Sequence, residues 1–237
     1  MKKRMLIILA AVILIIAAVL VIVFVSADKP KEEKKAAEQT FTVGSVVTFG
    51  RYEQDANTEN GMEPIEWHVI REDGTKRLLL SRYALDAKAF NDKKTSIWWE
   101  TCTLRTWLNG EFMNTAFSEK EQSQICKSLL ENKGNERYNV EGCADTEDYV
   151  FLLSLEELET YVVPKYGHQA KPTPYAIANG AYTNSSGICW WWLRTIGSSY
   201  LHTAVSNYGK RILYEGNSSH FASGSVRPAI WLDLAEK

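Results

Sequence analysis

The chain has 237 residues, with 27 Lys and Arg against 29 Asp and Glu and a formal net charge of −2. Charge this close to balance, with no basic stripe interleaved among aromatics, excludes nucleic acid as the expected partner. Beyond an apolar N-terminus, the remaining length suits one domain with a sizeable core, and eight Trp are available to build it.

Residues 1–4 (Met-Lys-Lys-Arg) precede an uncharged run from Met5 to Val25. At about 1.5 Å per residue that run is about 31 Å long, the thickness of a bilayer's hydrocarbon core. A helix bonds its own backbone and can therefore lie in lipid. The expected organisation is a cytoplasmic tail (1–4), a transmembrane signal-anchor helix (5–25) with membrane lipid as its partner, a charged linker (26–42) and a globular domain (43–237). Val25-Ser26-Ala27 also fits a small-residue cleavage site, so secretion after cleavage near Ala27 is the alternative. The apolar core exceeds the length usual for a signal peptide, about 7–15 residues, which favours the anchor. Basic residues flank both ends, and the short tail favours an extracytoplasmic domain.

Within the domain, Val43 to Tyr52 reads as a first strand. Ile65 to Ile70 alternates as a half-buried strand, Glu72-Asp73-Gly74-Thr75 turns, and Leu78 to Ser81 returns as a hairpin arm. Thr103 is placed to cap a helix whose apolar stripe is Leu104, Trp107, Leu108 and Phe112, and Asn109-Gly110 is expected to end it. Ser118–Glu121 and Ser154–Glu157 are capping boxes, separated by a short buried strand at Tyr149–Leu153. Thr173-Pro174 opens another helix and Gly180 closes it. The last third is read as strand and loop: an apolar run from Cys189, a hairpin with its turn at Asn207–Lys210, and a closing strand Val226–Leu234 pushed toward an edge or bulge by Pro228. This order indicates an α+β fold. Cys102, Cys126, Cys143 and Cys189 permit either two disulfides or four thiols, and show no zinc-like spacing.

Several of these segments together resemble a known pattern: Val47–Tyr52, Pro64–Trp67, Leu78–Ser81, Trp99-Glu100, Thr103–Asn109, Asp148–Ser154, Trp191–Arg194 and Val226–Leu232. Their order is similar to that of a bacterial family of secreted or membrane-tethered domains of unknown function. That family in turn resembles the C-type-lectin-like superfamily, which includes the formylglycine-generating enzymes. The resemblance implies a C-type-lectin-like domain with small antiparallel sheets, two or more flanking helices and long C-terminal loops that carry ligand contacts, here from Ile196 to Ser225. The expected ligand-binding residues are Trp191, Arg194, Tyr200, His202, Asn207, Tyr208 and Tyr214. Glu66, Glu100, Arg105, Asp148 and Arg227 are charges among large apolar residues and are expected to form structural ion pairs. No calcium-lectin triplet (Glu-Pro-Asn, Gln-Pro-Asp or Trp-Asn-Asp) occurs, so neither a metal nor a cofactor is expected. Cys189 has no near partner cysteine, and no Gly-x-Ser-x-Gly is present. The expected function is a non-catalytic module that binds a cell-wall glycan, a peptide or a surface protein. The alternatives are an interaction subunit of a membrane complex or an enzyme.

Overall fold

The computed structural model describes residues 39–200, 202–206 (as backbone) and 212–235. The expected tail, the 5–25 segment and most of the linker lie outside the described residues. Among those described, no helix is long and apolar enough to cross a membrane. Packing begins at Gln39, inside the stretch read as linker: its side-chain amide donates to the Thr48 carbonyl at 3.0 Å, and the Phe41 carbonyl accepts from Arg77 Nε at 2.7 Å.

The domain is α+β, with two five-stranded sheets. The first has the order β1 (Val46–Tyr52), β2 (Glu63–Asp73), β3 (Lys76–Ser81), β12 (Ala229–Asp233), β7 (Val150–Phe151), all antiparallel. The second has the order β10 (Ile212–Ser218), β9 (His202–Ser206), β8 (Trp191–Ile196), β11 (Ser225–Val226), β4 (Asp86–Ala87), with β11 parallel to β8. A small ribbon pairs β5 (Ser128–Leu130) with β6 (Thr146–Asp148).

The β2–β3 hairpin forms where the alternation placed it, and Gly74 supplies the positive φ its turn needs. Ile65, Trp67 and Val69 point inward on β2, and a register shift between Val69 and Arg71 also buries Ile70. Leu78–Ser81 are buried without alternation because β3 is a central strand covered on both faces. The same holds for β8, whose six residues are all buried. The closing strand does not run continuously at an edge. It breaks at Arg227-Pro228, where the chain leaves the second sheet as β11 and enters the middle of the first as β12. Proline has no N–H for a ladder bond, and here the interruption becomes the crossing between sheets.

The first helix starts one residue earlier than expected. Cys102 is its N-cap, with Sγ accepting from the Arg105 amide. It also passes through Asn109-Gly110 as a π turn (Leu108–Phe112) before Met113–Ala116. Asn109 explains the continuity. Its amide nitrogen donates to the Val150 carbonyl at 2.9 Å and its oxygen accepts from the Tyr149 amide at 2.8 Å, so the side chain serves backbone groups beside β7. Both capping boxes form. Thr173 caps Pro174–Ala178, and Gly180 follows at positive φ. A second π turn (Leu158–Val162) follows Leu155–Glu157. Pro164 cannot donate to residue 160, and the Val163 amide reaches back five residues to Leu158 instead.

Candidate ligand-binding groove

The described residues enclose a groove of about 950 Å³. One wall is the π turn, which presents Glu159, Thr160 and Tyr161 in succession. The floor includes Arg194, Thr195 and Ile196 at the end of β8, and the other walls come from β5, the segment that follows it, Trp98 and Trp99. Arg71 and Lys76 of the β2–β3 hairpin, with Trp231 of β12, line it as well. The cysteines are thiols and not disulfides; Cys143 reaches the groove, and Cys102 and Cys189 are buried elsewhere.

The segment 131–145 forms a closed lip. Asn135 bridges to Val140, and Asn139 adopts a left-handed conformation. A Cβ on Gly134 would lie 2.1 Å from the Val140 carbonyl, and one on Gly142 would lie 2.1 Å from that of Asn132, so only glycine allows the two arms to approach. Asn135 is buried and donates to the Ile196 and Tyr214 carbonyls at 3.0 and 3.1 Å, tying the lip to the second sheet. The signal for this lip in the sequence is the turn composition around Gly134-Asn135 and Gly142. Composition marks a loop, but which backbone atoms meet across it depends on the folded chain.

Arg194 reaches the groove from within. Its guanidinium forms a two-pronged pair with Glu157, with one N–H on Glu157 Oε2 and another on Oε1 at 3.2 Å. It also donates to the Leu152 carbonyl at 2.9 Å and the Glu131 carbonyl at 3.4 Å. Glu157 is also the carboxylate of the capping box and accepts the Ser154 amide at 2.7 Å. Both terminal nitrogens of Arg194 are therefore taken by internal partners on three segments, and only Nε lacks one. Two more groove residues carry a buried polar atom without a partner among the described residues: Trp98 Nε1 and Asn132 Oδ1.

The other expected ligand residues separate. Trp191 is fully buried, with its indole N–H on the His168 carbonyl, and has no face for a ligand. Trp190, just ahead of β8, and Trp192 within it are buried too, and β8 is covered on both sides. Tyr200 packs on Trp98 with ring centroids 4.8 Å apart. Tyr214 donates its hydroxyl to Glu159 at 2.6 Å and lies under the Arg137 guanidinium at 3.8 Å. The Glu159 carboxylate, together with burial, raises the Tyr214 hydroxyl above its usual pKa. His202 lies on β9. Asn207 and Tyr208, with the expected turn, lie outside the described residues.

Among the expected ion pairs, Arg105 Nε meets Asp148 at 2.6 Å, and the buried Asp148 also accepts from Trp99 Nε1 and Thr146 Oγ1, each at 2.9 Å. Glu66 pairs with Arg82 at 2.9 Å on the surface. Glu100 contributes its backbone carbonyl to Arg105, not its carboxylate. Arg227 has no carboxylate partner among the described residues. Its Nε donates to the Ser81 carbonyl at 2.7 Å and its guanidinium lies 4.9 Å from the Trp191 ring centroid, so a carbonyl and a π face replace the anion. Burial pulls Arg227 down to about 10.

Burial raises Cys102 to about 12 and Cys189 to about 11, and raises Cys143 as well, so these thiols are held protonated. Glu53, Asp55 and Glu63 bring their oxygens within 4.8 Å of one another. Backbone amides of Gln54, Asp55 and Asn57 donate to this group, which accounts for the clustering without a cation.

The fold and groove thus define a two-sheet α+β domain with a recess that is polar, carries both signs of charge and is held by buried side-chain bonds. The model of a family described as a domain of unknown function (DUF6273) matches residues 74–234, most of the described domain, and the chain belongs to that family. No curated protein and no solved structure matches it.

Proposed function

We propose that this chain is a membrane-anchored, extracytoplasmic domain that binds a polar ligand in the groove between the π turn and the 131–145 lip. The groove carries the reading. Its volume of about 950 Å³ lies at the upper end of the range for small-ligand sites, about 300–1,000 Å³. Its walls are fixed by the Arg194–Glu157 pair and by Asn135, so little ordering would be required on binding. Three lining residues hold polar atoms with unused hydrogen-bonding capacity. Binding is favoured over catalysis because the titratable groups at the floor are tied into structural bonds and the groove thiol is held protonated. The anchor rests on the uncharged run from Met5 to Val25. A C-type-lectin-like ancestry in bacterial surface proteins belongs to the same proposal, supported by the sharing of one sheet by the first and last strands.

The test is co-sedimentation of the full chain, in detergent, with isolated cell wall and with surface peptides, beside Thr160→Trp. Thr160 is exposed in the groove wall and makes none of the bonds described, so the indole fills the groove without removing a support. Binding lost at unchanged thermal stability supports the groove. Equal binding by both proteins would place the site elsewhere.

A further inference from the structure

Resting on the groove as the ligand site, we infer that Arg71 forms a subsite for a carboxylate, the C-terminal carboxylate of an extended peptide. The side chain leaves β2 just after its bulge and is exposed at one end of the groove. Its guanidinium lies 5.1 Å from the Tyr161 ring centroid and 5.6 Å from that of Trp231, and one N–H donates to the Tyr161 hydroxyl at 2.9 Å. No carboxylate among the described residues pairs with it. The fork is therefore held in place with N–H groups to spare, the arrangement that suits a planar, two-oxygen acceptor.

Three of the other groove cations are in ion pairs. Lys127 pairs with Glu147, Lys133 with Glu131 and Glu156, and Arg194 with Glu157. Lys76 stands opposite Asp73 across the hairpin. Arg137 also stacks on a ring, but that ring's hydroxyl is bonded to the Glu159 carboxylate. Arg71 thus brings to the groove a guanidinium that is positioned by Tyr161 and has N–H groups to spare, and one anionic group on a ligand matches it.

The aromatic surfaces favour a peptide over a sugar. A saccharide needs an open ring face, yet Tyr161 and Trp231 are covered by Arg71, Trp98 packs on Tyr200, and Trp99 is buried. The remaining walls offer charges of both signs and one strongly exposed apolar side chain, Leu129 at 69%. Such a mixture suits peptide side chains and main-chain dipoles. The groove has room for several residues.

The experiment uses the full chain in detergent and a random-sequence peptide library prepared once with free C-termini and once as C-terminal amides. The wild-type protein should retain the free-carboxylate pool about ten- to a hundredfold better than the amide pool, since a two-pronged charged bond is lost on amidation. Arg71→Gln should reduce retention to the amide level at unchanged thermal stability, and Arg71→Lys should restore it only in part. Equal retention of both pools, abolished by Thr160→Trp, would leave the groove as the site and reject the carboxylate subsite. Retention indifferent to both Arg71→Gln and Thr160→Trp would reject the groove itself. Failure to retain either pool, or Arg71-dependent capture of uronic-acid oligosaccharides in their place, would overturn the peptide assignment.

Discussion

Replacing Arg194 by Met separates a structural arginine from a ligand clamp. The substitution keeps much of the aliphatic volume and removes the guanidinium. Glu157 then loses both prongs of its partner while remaining largely enclosed, at 22% side-chain exposure. Breaking such a pair from one side costs about 3–5 kcal/mol. The Leu152 and Glu131 carbonyls each lose a donor, a further loss of about 1 kcal/mol for the well-formed bond and less for the long one. The total, about 4–6 kcal/mol, is a large share of the 5–15 kcal/mol typical of a domain. Urea unfolding of the 39–237 unit at neutral pH, followed by Trp fluorescence, should show the midpoint falling with an unchanged m-value. The double variant Arg194→Met/Glu157→Leu should recover part of the loss, because no charge is left unpaired. A cost below about 1 kcal/mol for the single variant, or a double variant worse than additive, would refute the reasoning and return Arg194 to the candidates for ligand contact.

Three further outcomes are expected. His68 packs against Tyr166 with ring centroids 4.4 Å apart, and its pKa is lowered to about 4 by burial and then by Arg227 and Arg82. The unfolded chain therefore binds this proton first as pH falls below about 6.5, and stability is lost from there down to about 4. After allowance for the ring's partial exposure, His68→Phe should remove about 1–2 kcal/mol of the difference in unfolding free energy between neutral and acidic pH; an unchanged difference would contradict this. Gly142→Ala should cost about 1–3 kcal/mol and speed hydrogen exchange across 131–145, whereas Gly110→Ala, with nothing within 4 Å of its Cβ, should be neutral or mildly stabilising. Iodoacetamide at mildly alkaline pH should label the partly exposed Cys126 and Cys143 before the buried Cys102 and Cys189, as read by mass spectrometry. Early labelling of Cys189 in the folded protein would show that the bridged segment ahead of β8 opens.

Local rules determined much of the fold. The β2–β3 hairpin, both capping boxes, the Thr173-Pro174 helix start and the buried β7 strand depend on neighbours a few residues apart, where φ preferences and short-range hydrogen bonds decide. The helix through Asn109-Gly110 was not legible in that way, because the groups satisfied by Asn109 belong to a strand about forty residues on. Trp191 could not be assigned to core or surface from an alternating pattern, since burial on both faces of β8 follows from what packs above and below it. Arg227 was legible as a charge needing a partner, but the sequence does not reveal that the partner is an indole face and a carbonyl.

The candidate site shows the same division. Sequence alone determined the uncharged N-terminal run, the α+β class and the charges that had to be satisfied inside the domain, because these follow from composition, period and the cost of burying an unpaired ion. The groove was decided by tertiary structure. Arg71, Thr160, Arg194 and the 131–145 lip are distant in the chain and meet because β12 is inserted between β3 and β7 and because two glycines let the lip close. A recess is made of the space left between segments, and that space is set by packing, to which local periodicity carries no reference.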